Sequence, residues 1–314
     1  VFFPDFVRKL PTDKRREKMV DGVLIINKSS GMTSHDVVKS VRRLFGLQRV
    51  GHTGTLDPMA TGVMVLLLGF ATRLSQFMQH DDKHYQGTIR LGVKTTTYDA
   101  DGEVVAVQPV GEEIDRIHQV VAGFQGKIAQ IPPMYSALKI NGQKLYKLAR
   151  QGKTIRRQPR HVSIFHINVT AWRLPDFDIE VACSAGTYIR SLAHDIGETL
   201  GCGAHLRTLV RTASHGFTLA ESHTLEEITS IAQEGDLHRV LLPPRAALGQ
   251  MTALTLSPEQ ISAVRFGQKI TLPVESQVPF IQALDTLDQL VAVMVPSNGG
   301  YWHPKVVLPV ANSA

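Results

Sequence analysis

The 314-residue chain has only two cysteines, Cys183 and Cys202. They stand apart and form no CxxC pair, so neither a disulfide framework nor a thiolate zinc site is suggested, and a reducing, cytoplasmic setting is the default. No apolar run approaches the ~18 residues of a membrane span; "VMVLLLG" (63–69) reads as a short buried element. The amino-terminal stretch lacks the apolar core and small-residue cleavage site of a signal peptide, so residues 1–20 read as a polar, basic lead-in. There is no HExxH and no GxSxG. "GHTGTLD" is glycine-rich but lacks the Gly-Lys-Ser/Thr of a phosphate loop, and "GCGAHL" has two of the three dinucleotide glycines and no strand before it. The 13 histidines are scattered. No metal and no cofactor is expected.

A further absence is local. From Lys139 to Arg160 there is no Asp or Glu, while Lys139, Lys144, Lys147, Arg150, Lys153, Arg156, Arg157 and Arg160 all fall inside. This stretch therefore carries more positive charge than the net +6 of the chain. Charges this dense repel one another unless a polyanion neutralises them. A solvated face is the bland reading, but Tyr135, Leu138, Ile140, Leu145, Tyr146 and Leu148 are interleaved, which a tail does not need. The pattern points to a phosphate backbone as ligand.

What is present reads as a globular protein, 43% hydrophobic and 20% charged. "GVLIINK" (22–28) is a strand. A helix follows, with Ser34 as cap, an apolar face of Val37, Val38, Val41 and Leu44, and Gly46 as its end. "TGVMVLLLGFATRLSQFM" starts as a strand or a buried helix, which periodicity leaves open. "HYQGTIRLG" alternates as a strand, "YDADG" is a turn, and "EEIDRIHQVVAGFQG" is an amphipathic helix closed by Gly123 or Gly126. "QIPPMYSALKI" is extended because of its prolines. "HVSIFHINVTAWRL" and "DFDIEVACSAG" pair as strands, and "TYIRSLAHDIGETLG" is a helix with Tyr188, Leu192, Ile196 and Leu200 on one side. Beyond Leu254 come short strands and turns, a small β-rich second domain.

Two charged residues stand out. Asp57 is the only charged side chain of "GHTGTLDPMATG" (51–62). Asp before Pro is a common turn opener, which is the bland reading. The functional reading is a carboxylate on a glycine-rich loop that a ligand can approach closely, with Pro58 narrowing its conformations. Arg190 falls in the first turn of its helix, where a cation is unfavourable beside the partly positive N-terminus. Its side chain either reaches solvent or meets an anion, phosphate or a buried carboxylate. An arginine partner would lower the pKa of Asp57 and keep it ionised. Tyr188, two residues earlier, reads as a core tyrosine.

"GHTGTLDPMATG" resembles the catalytic motif of the pseudouridine synthases, and in its full form that of the TruB-type tRNA pseudouridine-55 synthases. "DGVLIINKSSGMTSHDVV", "KHYQGTIRLG", "QIPPMYSALKINGQKLYKLARQG" and "CSAGTYIRSLAHDIGETLGCGAHLRTLVRT" resemble further blocks of that family, in family order, over about Asp21 to Thr212. The segment from about Leu254 resembles the small RNA-binding PUA-type domain. Three positions depart from the usual pattern: Ser29 follows Lys28 where proline is frequent, Thr96 replaces an acid in "TTTYDADG", and Ala185 stands in "CSAGTYIR".

The resemblance implies an α+β fold with a large mixed, mainly antiparallel sheet, a catalytic domain at 21–250 with an RNA-binding thumb at about 133–160, and a PUA-like domain at 251–314. It implies isomerisation of a T-loop uridine of tRNA to pseudouridine without cofactor or metal, by a monomer with no obligatory protein partner. Asp57 would be the catalytic aspartate, attacking C1′ or assisting a glycal-type intermediate. Tyr85 would stack on the target base and help remove the C5 proton, Arg190 would pair with Asp57, and Lys28 would lie near the same carboxylate. Tyr188 and Leu209 would line the uracil pocket, and His52 would fill the space the base leaves. The basic segment, with Lys139, Lys144 and Arg150, would clamp the RNA backbone, and Arg73 would add a phosphate contact. The alternatives are a guide-RNA-dependent, dyskerin-type enzyme and a non-catalytic RNA-binding or RNA-folding protein.

Overall fold

The computed structural model describes residues 20–309, except 79–81, 112–113, 141, 250 and 275–277. The basic lead-in expected at 1–20 thus lies outside the described residues apart from Val20, as do the two acids that open the "EEIDRIHQVV" segment.

The chain opens with β1 (Gly22–Lys28), α1 (Ser34–Phe45), β2 (Val50–His52) and β3 (Thr61–Leu68). A 3-10 stretch (Gly69–Phe77) follows, which settles the open segment as a strand turning into a short helical run. Then come β4 (Lys83–Leu91), β5 (Val93–Thr95), β6 (Val104–Val107), α2 (Ile114–Ala122) and β7 (Gly126–Gln130). The basic segment holds β8 (Lys139–Ile140), β9 (Gln143–Lys144) and α3 (Leu145–Ala149). A long hairpin of β10 (Arg160–Arg173) and β11 (Asp176–Cys183) leads to α4 (Ile189–Leu200), β12 (Ala204–Ser214), β13 (Phe217–Thr218), α5 (Leu225–Glu234) and β14 (Leu241–Leu242).

The main sheet runs β14-β1-β3-β12-β4-β11-β10-β7, with β2 on β3 and β13 on β12. Its named pairs are antiparallel except β3 with β12. The architecture is α+β with a mixed, mainly antiparallel sheet. The parallel pair is short, Val210 opposite Thr61 and Arg211 opposite Gly62, and the two strands part beyond it. Gly62 is required there: its φ is +103°, and a Cβ would stand 2.3 Å from the Arg211 carbonyl oxygen.

Both faces of the sheet centre are covered, which explains why β1 and β3 read as continuous apolar runs rather than alternating ones. Leu24, Ile26, Met64 and Leu66 join the core under α1, α4 and α5, while Val23, Ile25, Val63, Val65 and Leu67 join a second core on the opposite face. The helices sit on the first face because of their apolar stripes: Val37, Val38 and Val41 of α1 and Leu192 and Ile196 of α4 are buried there.

The cap of α1 differs from expectation. Thr33, not Ser34, is the N-cap: it is extended and forms a capping box with Asp36. Ser34 is drawn away because its hydroxyl is engaged by the backbone of Leu56, donating to the carbonyl at 3.0 Å and accepting from the N–H at 2.8 Å. Gly46 closes the helix in the left-handed conformation, as read.

The C-terminal part forms a separate sheet, β15 (Ala253–Thr255), β17 (Ile281–Leu284), β18 (Leu290–Pro296), β19 (Tyr301–Val307) and β16 (Ile270–Thr271) in that order. It also contains α6 (Pro258–Arg265), which the strand-and-turn reading missed. The signal was present in Ser257, Pro258 and Gln260, a capping box with proline at its first position. Leu284, Leu290, Val293 and Val306 of this sheet pack into the second core, against the side of the main sheet that faces away from α4.

Candidate active site

Asp57 lies on the loop between β2 and β3, and that loop is tied down on both sides of it. Leu56 is buried and held by Ser34. The Asp57 carbonyl accepts from Ala60 N–H at 3.1 Å, closing a turn. Beyond Asp57, the Pro58 carbonyl accepts from Gly31 N–H at 2.9 Å and from Lys28 Nζ at 3.2 Å. Before it, Arg211 donates to the Gly54 carbonyl at 3.1 Å, and after it, through Nε, to the Val63 carbonyl of β3 at 2.6 Å. A carboxylate on such a loop has little freedom.

Arg190, near the start of α4, is 4% exposed and meets the anion that its unfavourable position demanded. Nη2 donates to Asp57 Oδ1 at 2.9 Å, and Nε stands 2.8 Å from Oδ2. The same guanidinium donates to the Tyr135 carbonyl at 2.9 Å and the Thr97 carbonyl at 3.1 Å, and lies 3.2 Å from Asp99 Oδ2. One cation thus bridges two carboxylates, and the two differ in access: the Asp99 side chain is 5% exposed and that of Asp57 is 30% exposed. Asp57 is the one open to a ligand.

The electrostatic direction corrects the sequence argument. Burial pushes the Asp57 carboxyl above its ordinary 3.8; Arg190 pulls it down, Asp99 pushes it up again, and the balance is upward. A carboxylate so placed is a better base and nucleophile than a solvated one.

Lys28 is fully buried and donates to the carbonyls of Ser29 (3.0 Å), Met32 (2.8 Å) and Pro58 (3.2 Å). Burial lowers it from 10.5 to about 8, against the pull of Asp57. It holds the loop rather than touching the carboxylate. Tyr85 sits on β4 directly opposite Arg211 of β12, and Leu209 opposite Gly87, so their side chains share the face of the sheet that carries the site. Burial raises the Tyr85 phenol above 10.0, with Arg211 opposing, so at neutral pH it is protonated.

Tyr188 is not on the helix face. It is the extended N-cap residue of α4, half-buried, with its N–H on Gln130 Oε1 at 2.8 Å and its carbonyl on Gln130 Nε2 at 3.0 Å. His52, at the end of β2, is held below 6.5 by burial, with Arg211 adding to the effect. Lys139 and Lys144 line a cavity of about 440 Å³ together with Lys147 and Lys153. Arg150 stands outside that lining, over the Tyr146 ring at 5.6 Å. Arg73 is exposed and donates to the Val307 carbonyl at 2.9 Å, which joins it to the C-terminal sheet.

Three participants went unseen in the sequence. Asp99 lies in the turn "YDADG", Gln130 opens the extended "QIPPMYSALKI", and Arg211 falls near the end of the block that closes in "RTLVRT". The one signal for Arg211 was its parity with Leu209 on an inward strand face. A charge on that face has to find internal partners.

Residues 42–189 match the model of the TruB family pseudouridylate synthase N-terminal domain, and residues 190–249 that of the tRNA pseudouridylate synthase B C-terminal domain. The chain is 43% identical over 268 residues to tRNA pseudouridine synthase B of Haemophilus influenzae, covering 84% of this chain and 86% of that protein. To tRNA pseudouridine synthase B of Dehalococcoides mccartyi it is 41% identical over 290 residues, covering 92% and 96%. Among solved structures it is similar to an H/ACA ribonucleoprotein bound to a substrate RNA containing 2′-deoxyuridine, with a TM-score of 0.71, 25% identity, and coverage of 93% of this chain and 86% of that one. A Cbf5-Nop10-Gar1 complex gives a TM-score of 0.69 at 26% identity, covering 94% and 86%.

Proposed function

The chain belongs to the TruB family of pseudouridylate synthases, and from that premise we propose that it isomerises the uridine at position 55 in the T-loop of tRNA. The observation that carries this is the exposed edge of Asp57, which is held on an immobilised loop and ion-paired to the buried Arg190 of α4, with the Tyr85 ring on the same side of the sheet. Such a site suits a nucleotide brought edge-on to a carboxylate.

The target base cannot react while stacked in the T-loop, so it is extruded at a cost of a few kcal/mol. Tyr85 recovers part of that by stacking, and Leu209 and Tyr188 border the base. His52 fills the space left in the loop. The N-glycosidic bond breaks, the uracil turns, and its C5 joins C1′; the C5 proton is lost and N1, freed from C1′, takes up a proton, so the product is an isomer of the substrate. Two routes are open to the carboxylate, attack at C1′ or assistance in a glycal-type elimination. Both need Asp57 ionised and oriented, which Arg190 supplies, with Lys28 fixing the loop through Pro58. The reaction as written needs no metal or cofactor.

The thumb at 133–160 supplies the backbone clamp. Lys139 and Lys144 face one cavity of phosphate-attracting charge, and Arg150 adds to the field. Shape carries most of the recognition of folded RNA. We assign residues 21–250 to catalysis and 251–314 to a PUA-like RNA-binding unit, with Arg73 at their junction, available to a phosphate as well as to Val307. The protein acts as a monomer in the cytoplasm. The 40–49% identities to tRNA enzymes favour this reading over a guide-RNA-dependent one, for which the similar structures stand at about 25%.

The test is to incubate the protein, in EDTA and without any other protein or RNA, with an unmodified tRNA transcript, and map the modified position. Pseudouridine at T-loop position 55 alone is expected. A requirement for a guide RNA or partner protein would overturn the stand-alone reading.

A further inference from the structure

We propose that Tyr98 and His194 are positioning residues for this reaction: their ring stack holds Tyr98 in a left-handed backbone conformation and so sets Thr97 and Asp99 on Arg190, which orients Asp57. The inference rests on Asp57 being the reacting carboxylate.

Tyr98 has φ of +65°, a region that a residue with a bulky side chain rarely occupies. Its neighbours on both sides serve one guanidinium. The Thr97 carbonyl accepts from Arg190 Nη1 at 3.1 Å, and the Asp99 carboxylate stands 3.2 Å from the same nitrogen. An ordinary extended residue at 98 would send these two groups in different directions. The left-handed residue turns the chain so that a main-chain oxygen and the next side chain but one converge.

Backbone bonds bracket Tyr98 without reaching its ring. Its N–H donates to the Thr95 carbonyl at 3.3 Å, and its carbonyl accepts from Leu206 N–H at 3.0 Å. The ring lies against His194, centroids 3.9 Å apart and planes within 8°. His194 is on α4, four residues after Arg190, hence one turn along the same side of the helix. The helix therefore grips the 97–99 segment twice, by charge at Arg190 and by stacking at His194. Nδ1 of His194 is buried with no hydrogen-bond partner among the described residues, so at that atom the imidazole serves packing alone. Burial also holds His194 below 6.5, which keeps the ring neutral at pH 7.

The test compares His194→Ala, His194→Phe, Tyr98→Gly and Tyr98→Phe in the full chain, measuring single-turnover rate and tRNA Kd separately. His194→Ala and Tyr98→Gly are expected to slow turnover on the order of 10- to 100-fold, as misplacement of a reacting group does, with Kd unchanged. Both phenylalanine variants keep a stack and should restore most of the rate. In an Asp99→Asn background, His194→Ala should add little further loss, because the two act through one path. Tyr98→Gly accepts the left-handed backbone, so it reports on the ring even if His194→Ala does not fold. Rates within about twofold of wild type in either ring-deleted variant would overturn the inference, as would full additivity with Asp99→Asn. Turnover that survives Asp57→Asn would instead remove the premise.

Discussion

A buried guanidinium between two carboxylates of unequal access is the feature from which the chemistry follows. Because burial raises Asp57 above 3.8, the ionised form is lost as pH falls through a value higher than that of a free aspartate. We expect the acid limb of kcat/KM, which reports free enzyme, to lie above the ordinary carboxylate range. A limb at or below 3.8 would contradict the electrostatics drawn here. Lys28 gives a separate reading. Its folded pKa of about 8 is below its ordinary 10.5, so between those values the unfolded chain binds more protons and stability rises with pH. The unfolding free energy of Lys28→Met minus that of the wild type should therefore fall across that window. Asp57 stood out through its motif and Arg190 through the helix dipole, whereas Tyr85 came only with the family resemblance. Asp99 and Arg211 did not stand out, since their significance lies in partners more than 90 residues away in the chain, Arg190 and Gly54.

Among the elements, the 53–60 loop and the thumb have distinct physical roles. The loop depends on Ser34, whose hydroxyl serves both backbone groups of Leu56. Ser34→Ala leaves those buried groups short of a partner, at a cost of about 1–3 kcal/mol. It should lower kcat more than it raises KM, because the loop carries Asp57. Equal effects on both would place Ser34 outside the reaction. The thumb has the opposite signature. Lys139→Ala with Lys144→Ala should weaken tRNA binding, flatten the dependence of log K on log salt by about two, and leave single-turnover rate at saturation unchanged. The sequence exposed this element through its unbroken run of one sign. It concealed the exchange of Thr33 for Ser34 at the α1 cap, because both residues have capping chemistry and only the tertiary contact to Leu56 separates them.

At the scale of the molecule, the sheet separates function from support. One face carries Tyr85, Leu209 and the site; the other, through Leu67 and Val65, packs on the C-terminal sheet. Leu67 is 1% exposed on that far face. Leu67→Ala should cost about 2–5 kcal/mol and lower Tm by several degrees, with kcat at 25 °C unchanged. A fall in kcat without loss of stability would mean that the two faces are coupled. The order of sheet and helices was visible in hydrophobic period and turn chemistry, whereas the two-sided burial that makes β1 and β3 uniformly apolar left helix and strand indistinguishable at "VMVLLL".

The central claim is that a single carboxylate, Asp57, carries the isomerisation. The direct measurement is tritium release from tRNA transcript labelled at uracil C5, by the wild type and by Asp57→Asn, beside the tRNA Kd of each. Release by the wild type, none by the variant, and similar Kd values are predicted. Equal release from both would contradict the claim, and tight binding with no release by either would mark the protein as an RNA binder rather than an enzyme on this substrate.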